Sequence, residues 1–296
     1  PDSSKVIATI ADEHPREEER QNSWLTLFDL SAESRSQHIQ LDKVISAVSV
    51  SPSGTRLATV EAGDHANDSK TLDIWNLETG TAERLSSWNP HSKEFFKGIN
   101  AIQWIDDERL ITTSFNNLLI WDVDQRKLLF KIEDGGNNRF CLSHNHRQLV
   151  AATQKEVIVV DLDTGETAVR VEPKETRHYG KLALGPSGQL LAASHSLGSQ
   201  IDLINLETGE IFDTLNLQSE ANESIGFFWP DDQHILIGGK DLVHVPSKTT
   251  VWQYQHQAAK IAYAHGLSWF LLNGRSMQEK FLLPLELPQP EVAQVD

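Results

Sequence analysis

Short stretches in which apolar and polar residues alternate fill this chain, and seven of them close in the same way. They end at Phe28-Asp29-Leu30, Ile74-Trp75-Asn76-Leu77, Ile120-Trp121-Asp122-Val123, Val159-Val160-Asp161-Leu162, Leu203-Ile204-Asn205-Leu206, Val243-His244-Val245 and Leu283-Pro284-Leu285, about 39 to 47 residues apart. The alternation of Ile99, Ala101 and Gln103 against Asn100, Ile102 and Trp104 has the period of two expected of a strand. No ten-residue stretch carries a helical period. Each repeat divides into four predicted strands, a to d, with a read as the inner strand and d as the outer one. The unit from 82 to 123 shows them as Thr81 to Trp88, Ile99 to Ile105, Arg109 to Thr113 and Leu118 to Val123.

Two turn types punctuate the repeats. After strand d come Asn76-Leu77-Glu78-Thr79-Gly80, Asp161-Leu162-Asp163-Thr164-Gly165-Glu166 and Asn205-Leu206-Glu207-Thr208-Gly209-Glu210, where glycine supplies the positive φ that closes a hairpin. Between b and c come Ser51-Pro52-Ser53-Gly54, Gly185-Pro186-Ser187-Gly188 and Trp229-Pro230-Asp231-Asp232, in which proline presets the first turn position. A period of about 40 to 45 residues with several short strands is the signature of a β-propeller. Complete four-strand sets fit 36–77, 82–123, 126–162, 166–206, 211–245 and 250–287. A c-d pair at Lys5 to Ala11 and Ser23 to Leu30 remains, with a tail from Pro288 to Asp296. An open ring would leave unpaired strand edges. The expectation is therefore one all-β domain over 1–296 with seven blades of four-stranded antiparallel sheets. Residues 1–30 supply strands to an incomplete closing blade, 31–287 the six repeats, and Glu291 to Val295 a further strand.

In these turns and this period the chain resembles a divergent member of the WD-repeat family, or the related bacterial propellers with a Leu-x-Thr-Gly-Glu turn. The resemblance runs from Lys5 to about Leu287. The Trp-Asp pair occurs at Trp121-Asp122, with Trp75-Asn76 as a near match. The family's Gly-His dipeptide ahead of strand b occurs nowhere, so the resemblance carries the buried network tied to that histidine to none of the repeats.

Composition narrows the partners. Forty-two acidic against twenty-six basic residues give a formal charge of -16, a surface that repels phosphate backbones and anionic headgroups and suits a basic partner or simple solvation. Neither nucleic acid nor a membrane is expected as a partner, and no apolar stretch reaches the roughly 18 to 20 residues of a bilayer span. Pro1 opens the sequence and Met277 is the only methionine, so a leader or neighbouring domain is expected to lie outside it. The single Cys141 excludes an intrachain disulfide and does not assign a compartment.

Catalytic motifs are absent: there is no Gly-x-Ser-x-Gly elbow, His-Glu-x-x-His helix, Cys-x-x-Cys pair, phosphate-binding Gly-x-x-x-x-Gly-Lys loop or Gly-x-Gly-x-x-Gly. No catalytic residue, metal or cofactor is assigned. His144 and His146 would share a strand face but fall in a b-c turn, and Asp64, Asn67 and Asp68 lack the spacing of a calcium loop. Asn67-Asp68-Ser69 and Asn222-Glu223-Ser224 match the glycosylation triplet, which recurs by chance. Of eight tryptophans, Trp24, Trp75, Trp121 and Trp252 fit packing between sheets.

The leading reading is a noncatalytic module, a monomer, that binds a protein or peptide through loops on one face; the alternatives are a propeller that gates or supports an enzyme domain, and a quinoprotein-like propeller enzyme. Three connections are long: Asp12 to Asn22, Glu61 to Lys70 and Ser86 to Gly98. They are expected side by side on one face. The third carries Trp88, His91, Lys93, Phe95 and Phe96, a set of the kind enriched at hot spots, with Glu17, Glu18, Glu19, Asp64 and Asp68 as an acidic rim. The competing reading has Trp88 and Phe95 tucked under their own loop.

Overall fold

A computed structural model describes residues 5–11, 23–29, 36–41, 43–62, 71–77, 82–92, 98–137, 139–172, 178–195, 200–216, 226–238, 240–254, 260–264, 267–273 and 280–284. Among these residues the protein is all-β, without a helix. Sheet A holds β1 (Lys5–Ala11), β2 (Ser23–Asp29) and β3 (Ser36–Leu41), in that order. Sheet B holds β4 (Ile45–Val50), β5 (Arg56–Glu61), β6 (Leu72–Asn76) and β7 (Glu83–Trp88). Sheet C holds β8 (Ala101–Trp104), β9 (Arg109–Thr113), β10 (Asn117–Asp122) and β11 (Lys127–Glu133). Sheet D holds β12 (Phe140–Leu142), β13 (Gln148–Ala152), β14 (Val157–Asp161) and β15 (Thr167–Val171). Sheet E holds β16 (Tyr179–Leu184), β17 (Leu190–His195), β18 (Gln200–Asn205) and β19 (Glu210–Asn216). Sheet F holds β20 (Phe227–Asp231), β21 (His234–Ile237), β22 (Asp241–His244) and β23 (Thr249–Gln253), and sheet G holds β24 (Lys260–Ala264), β25 (Leu267–Asn273) and β26 (Lys280–Pro284).

Every pairing within these sheets is antiparallel between consecutive strands, so the five four-stranded sheets are simple meanders. The sheet boundaries differ from the repeat boundaries drawn on the sequence. The strand read as the inner strand a of each unit is the last strand of the preceding sheet: Glu83–Trp88 pairs with Leu72–Asn76, and Lys127–Glu133 with Asn117–Asp122. The cause lies in the turn after strand d. It is a tight hairpin, with Gly165 at φ 75° and Gly209 at φ 70°, and a tight hairpin joins hydrogen-bonded neighbours. Burial agrees. The third strands β6 and β14 are buried along four of five residues, whereas β23 is exposed throughout.

The repeat reaches single hydrogen bonds. In all five four-stranded sheets the pairing of third and fourth strands slips at one register, between Ile74 and Trp75, Ile120 and Trp121, Val159 and Val160, Leu203 and Ile204, and Leu242 and Val243. The residues bulged out of the fourth strand are Leu85, Leu129, Ala168, Phe212 and Val251. Four of them are among the exposed large apolar residues, and a bulge there twists the edge away from further strand pairing.

Between sheets, alternation sends one set of side chains to each neighbour. Leu72 and Ile74 of sheet B meet Ile102, Trp104 and Leu110 of sheet C. Ile111 and Ile120 of sheet C meet Leu149 and Val160 of sheet D; Val150 and Val159 of D meet Leu191 and Ile204 of E; Leu203 and Ile201 of E meet Trp229 and Ile235 of F. Sheets B to F therefore stack face to face in chain order with a separate core between each pair. First strands adjoin as well, β4 beside β8, β12 beside β16 and β16 beside β20. Trp104 Nε1 donates to Ser49 O at 3.1 Å, and Trp229 Nε1 to Ala183 O at 3.0 Å, the same bond between equivalent strands of B and C and of E and F. The first turns link too: Ser53 Oγ donates to Asp107 Oδ1 at 2.6 Å and Ser187 Oγ to Asp232 Oδ1 at 3.0 Å.

Candidate functional site

Register brings the ends of four connections of sheets B and C together. Trp88 pairs with Leu72, so the connection after β7 leaves sheet B where the β5-β6 connection also lies. It enters sheet C at Asn100, whose N–H donates to Thr113 O, beside the turn from Ser114 to Asn117. Glu133 pairs with Asn117, and the connection after β11 begins at the same place.

Of the residues assigned to a binding surface, Trp88 and His91 lie within the described residues. Lys93, Phe95, Phe96, Glu17, Glu18, Glu19, Asp64 and Asp68 lie outside them, as do Asn67, Asn222 and Glu291 to Val295. His91 is wholly buried. Its Nε2 sits 3.0 Å from Thr112 Oγ1 on β9, and the same hydroxyl oxygen accepts Trp121 Nε1–H at 3.1 Å from β10. The missing Gly-His dipeptide had left such a network unassigned, yet sheet C has one, reached by a histidine well ahead of the first strand. Sheet B keeps half of it, with Trp75 Nε1 donating to Thr59 Oγ1 at 2.9 Å. Thr112→Val preserves shape but leaves the indole N–H and the imidazole without their shared partner. It is expected to cost about 1 to 3 kcal/mol in unfolding free energy, read from denaturant midpoints.

Trp88 is half-buried and packs on the core between B and C, with the Arg126 guanidinium 5.7 Å from its ring centroid. Its Nε1 is buried without a hydrogen-bond partner among the described residues. The tryptophans read as packing between sheets divide: Trp75 is 7% exposed, whereas Trp252 stands on the edge strand β23 at 49%. Trp252 is a correction, because strand β23 is the edge of its sheet and, among the described residues, no strand pairs with its outer side. Trp24 lies in β2, whose side chains fall outside the described set.

Phe115 was not singled out in the sequence. It stands 54% exposed at the tip of the Ser114 to Asn117 turn, which is closed by Ser114 N–H to Asn117 O at 2.9 Å and Asn117 N–H to Ser114 Oγ at 3.2 Å. Asn137, at φ 61°, donates its N–H to Ser114 O at 3.0 Å. Asn100 Nδ2 donates to Asn137 Oδ1 at 3.1 Å. Gly136 lies so close that an added Cβ would fall 2.3 Å from Ser114 O and 2.6 Å from Phe115 O. Backbone on backbone leaves this platform little freedom to move.

Charged groups cluster at the equivalent end of sheets B and E. Lys43 Nζ donates to Glu61 Oε2 at 3.1 Å and Thr71 Oγ1 at 3.2 Å, and lies 3.5 Å from Asp73 Oδ2. Desolvation lowers the lysine's pKa, but Glu61 and Asp73 outweigh it and hold it above its ordinary value. Glu61 is held low, chiefly by the Thr71 hydroxyl. In sheet E the buried Asp202 accepts from Tyr179 Oη at 2.9 Å and Thr214 Oγ1 at 2.8 Å, and lies 2.8 Å from His195 Nε2. Asp73 and Asp202 hold the same register, two residues before the slipped position.

A hydroxyl beside an imidazole occurs at Ser247 Oγ, 2.7 Å from His244 Nδ1, in the turn between β22 and β23, where the same hydroxyl lies 2.7 Å from Thr249 Oγ1. Cys141 is free, and desolvation pushes its thiol up to about 12, far from thiolate chemistry. Ser143 to His146 forms the turn between β12 and β13, with His144 exposed and His146 Nδ1 2.6 Å from Ile105 O. No group of three or more acidic, histidine or cysteine side chains suited to a metal occurs among the described residues. No helix of the described residues is long and apolar enough to cross a membrane. The chain matches no protein-family model and no curated protein.

Proposed function

We propose that the chain is a seven-bladed, WD-repeat-like β-propeller and that it serves as a noncatalytic interaction module, holding a protein or peptide at the end of the blades where its long connections lie. The propeller reading rests on sheets that stack in chain order with first strand beside first strand, an arrangement that closes on itself when each sheet is turned by a constant angle. The observation that carries the binding reading is the Phe115 platform. A large apolar ring stands 54% exposed on a turn that closes on itself and is held by the loop at Gly136 and Asn137. Rigid aromatic anchors suit binding because little entropy remains to be lost on contact.

A photo-crosslinking side chain tests this reading. Placed at the exposed Ser92, in the connection from β7 to β8, it is expected to give a discrete adduct in the source cell. Placed at the exposed Glu207, in the β18-β19 turn at the other end, it is expected to give none. Adducts from Glu207 alone would contradict the assignment.

A further inference from the structure

Resting on the interaction reading, we propose that Asn100, Asn137 and Phe115 recognise an extended, uncharged peptide segment, gripping the N–H and C=O of one of its residues and packing on an apolar side chain beside it. The two asparagine side chains are joined head to tail, since Asn100 Nδ2 donates to Asn137 Oδ1. Asn100 Oδ1 and the Asn137 Nδ2 hydrogens then remain, an acceptor and a donor that complement the N–H and C=O which one residue of an extended strand presents on the same edge. Asn100 is exposed and Asn137 half-buried, so this pair faces outward from a fixed base.

Three features make that base rigid. Asn137 occupies the left-handed region at φ 61°, which asparagine tolerates better than most residues, and its backbone is tied to Ser114. Gly136 lets the backbone of this loop sit directly on Ser114 and Phe115. The turn that presents Phe115 is closed by two hydrogen bonds of its own. An amide pair near an exposed ring matches the N–H and C=O of one extended residue flanked by an apolar side chain. The pairs that build the platform involve no charged side chain, so recognition here depends little on salt.

Selection of a random-peptide phage library on the intact protein, followed by calorimetry with a recovered peptide acetylated and amidated at its ends, tests the proposal. Phe115→Ala is expected to weaken that peptide at least tenfold. Asn100→Ala and Asn137→Gly, the latter chosen to keep the left-handed backbone, are each expected to weaken it at least fivefold. Affinity should change less than threefold between low and high salt, and Asp163→Ala at the far end should leave it unchanged. Circular dichroism and melting curves establish that each variant is folded; if Phe115→Ala unfolds, the asparagine variants decide. Recovered peptides that bind all three variants as tightly as the parent overturn this site while leaving the interaction reading standing. A library that yields no binder, or binding confined to neutral oligosaccharides, overturns both.

Discussion

Trp104→Ala is expected to lower the unfolding free energy by about 3 to 5 kcal/mol, with Trp229→Ala close behind. Each indole is 2% exposed and fills the space between two sheets rather than within one. Truncation removes this burial and also leaves the carbonyl of Ser49 or Ala183 without its indole donor. Since the lost contacts join neighbouring sheets, the effect should appear as lowered cooperativity of the whole molecule, not as loosening of one sheet. Trp252→Ala is the control. Its ring is half in water on an edge strand, and its loss should change stability by only about 0.5 kcal/mol. Urea midpoints for the three variants decide the matter, and equal losses at Trp104 and Trp252 would contradict the stacking of sheets.

A second large effect is expected at Asp202. Asp202→Ala should cost about 3 to 5 kcal/mol, because it strips one shared partner from Tyr179, His195 and Thr214 at once inside the core between D and E. The pH dependence follows from the direction of its shift. Desolvation would raise the carboxyl's pKa, but hydrogen bonds from His195, Thr214 and Tyr179 outweigh it and hold the folded value below the ordinary one. A group lowered on folding contributes stability in full above its unfolded pKa, about 3.9, and loses that contribution as pH falls through the folded value. Stability of the parent protein should therefore drop more steeply below about pH 4 than that of Asp202→Asn. Parallel curves for the two would show that the carboxylate's charge is not what the three donors hold.

Much of this was legible in the chain because turns constrain the backbone more tightly than strands do. The Pro-Ser-Gly and Thr-Gly-Glu sequences need fixed φ values, so they marked the period of the sheets. The assignment of strands to sheets failed for a related reason: the Gly165 and Gly209 turns were recognised as hairpins, yet the strands on either side were placed in different units. Edge strand β23 carries Trp252, which fits packing between sheets by its type and position but stands 49% exposed. His91 was read as a surface residue because it lies among aromatics in a long connection; the hydroxyl that captures it, Thr112, is distant in sequence. Phe115 escaped notice because it stands alone between polar residues, and exposure of a single apolar residue is ordinary until its support by Gly136 and Asn137 is known.

The proposed closure of seven sheets into a ring is tested directly by spin-label distances. In a Cys141→Ser background, labels at Ser36 and Lys127 mark the first residues of the last strands of sheets A and C, and labels at Ser36 and Thr249 mark those of A and F. In a closed ring of seven both pairs are two steps apart, one directly through B and the other through G. The same distance is expected for both pairs. An A to F distance far longer than A to C would show an open stack, a distinctly shorter one a ring of six, and either result would contradict the proposed architecture.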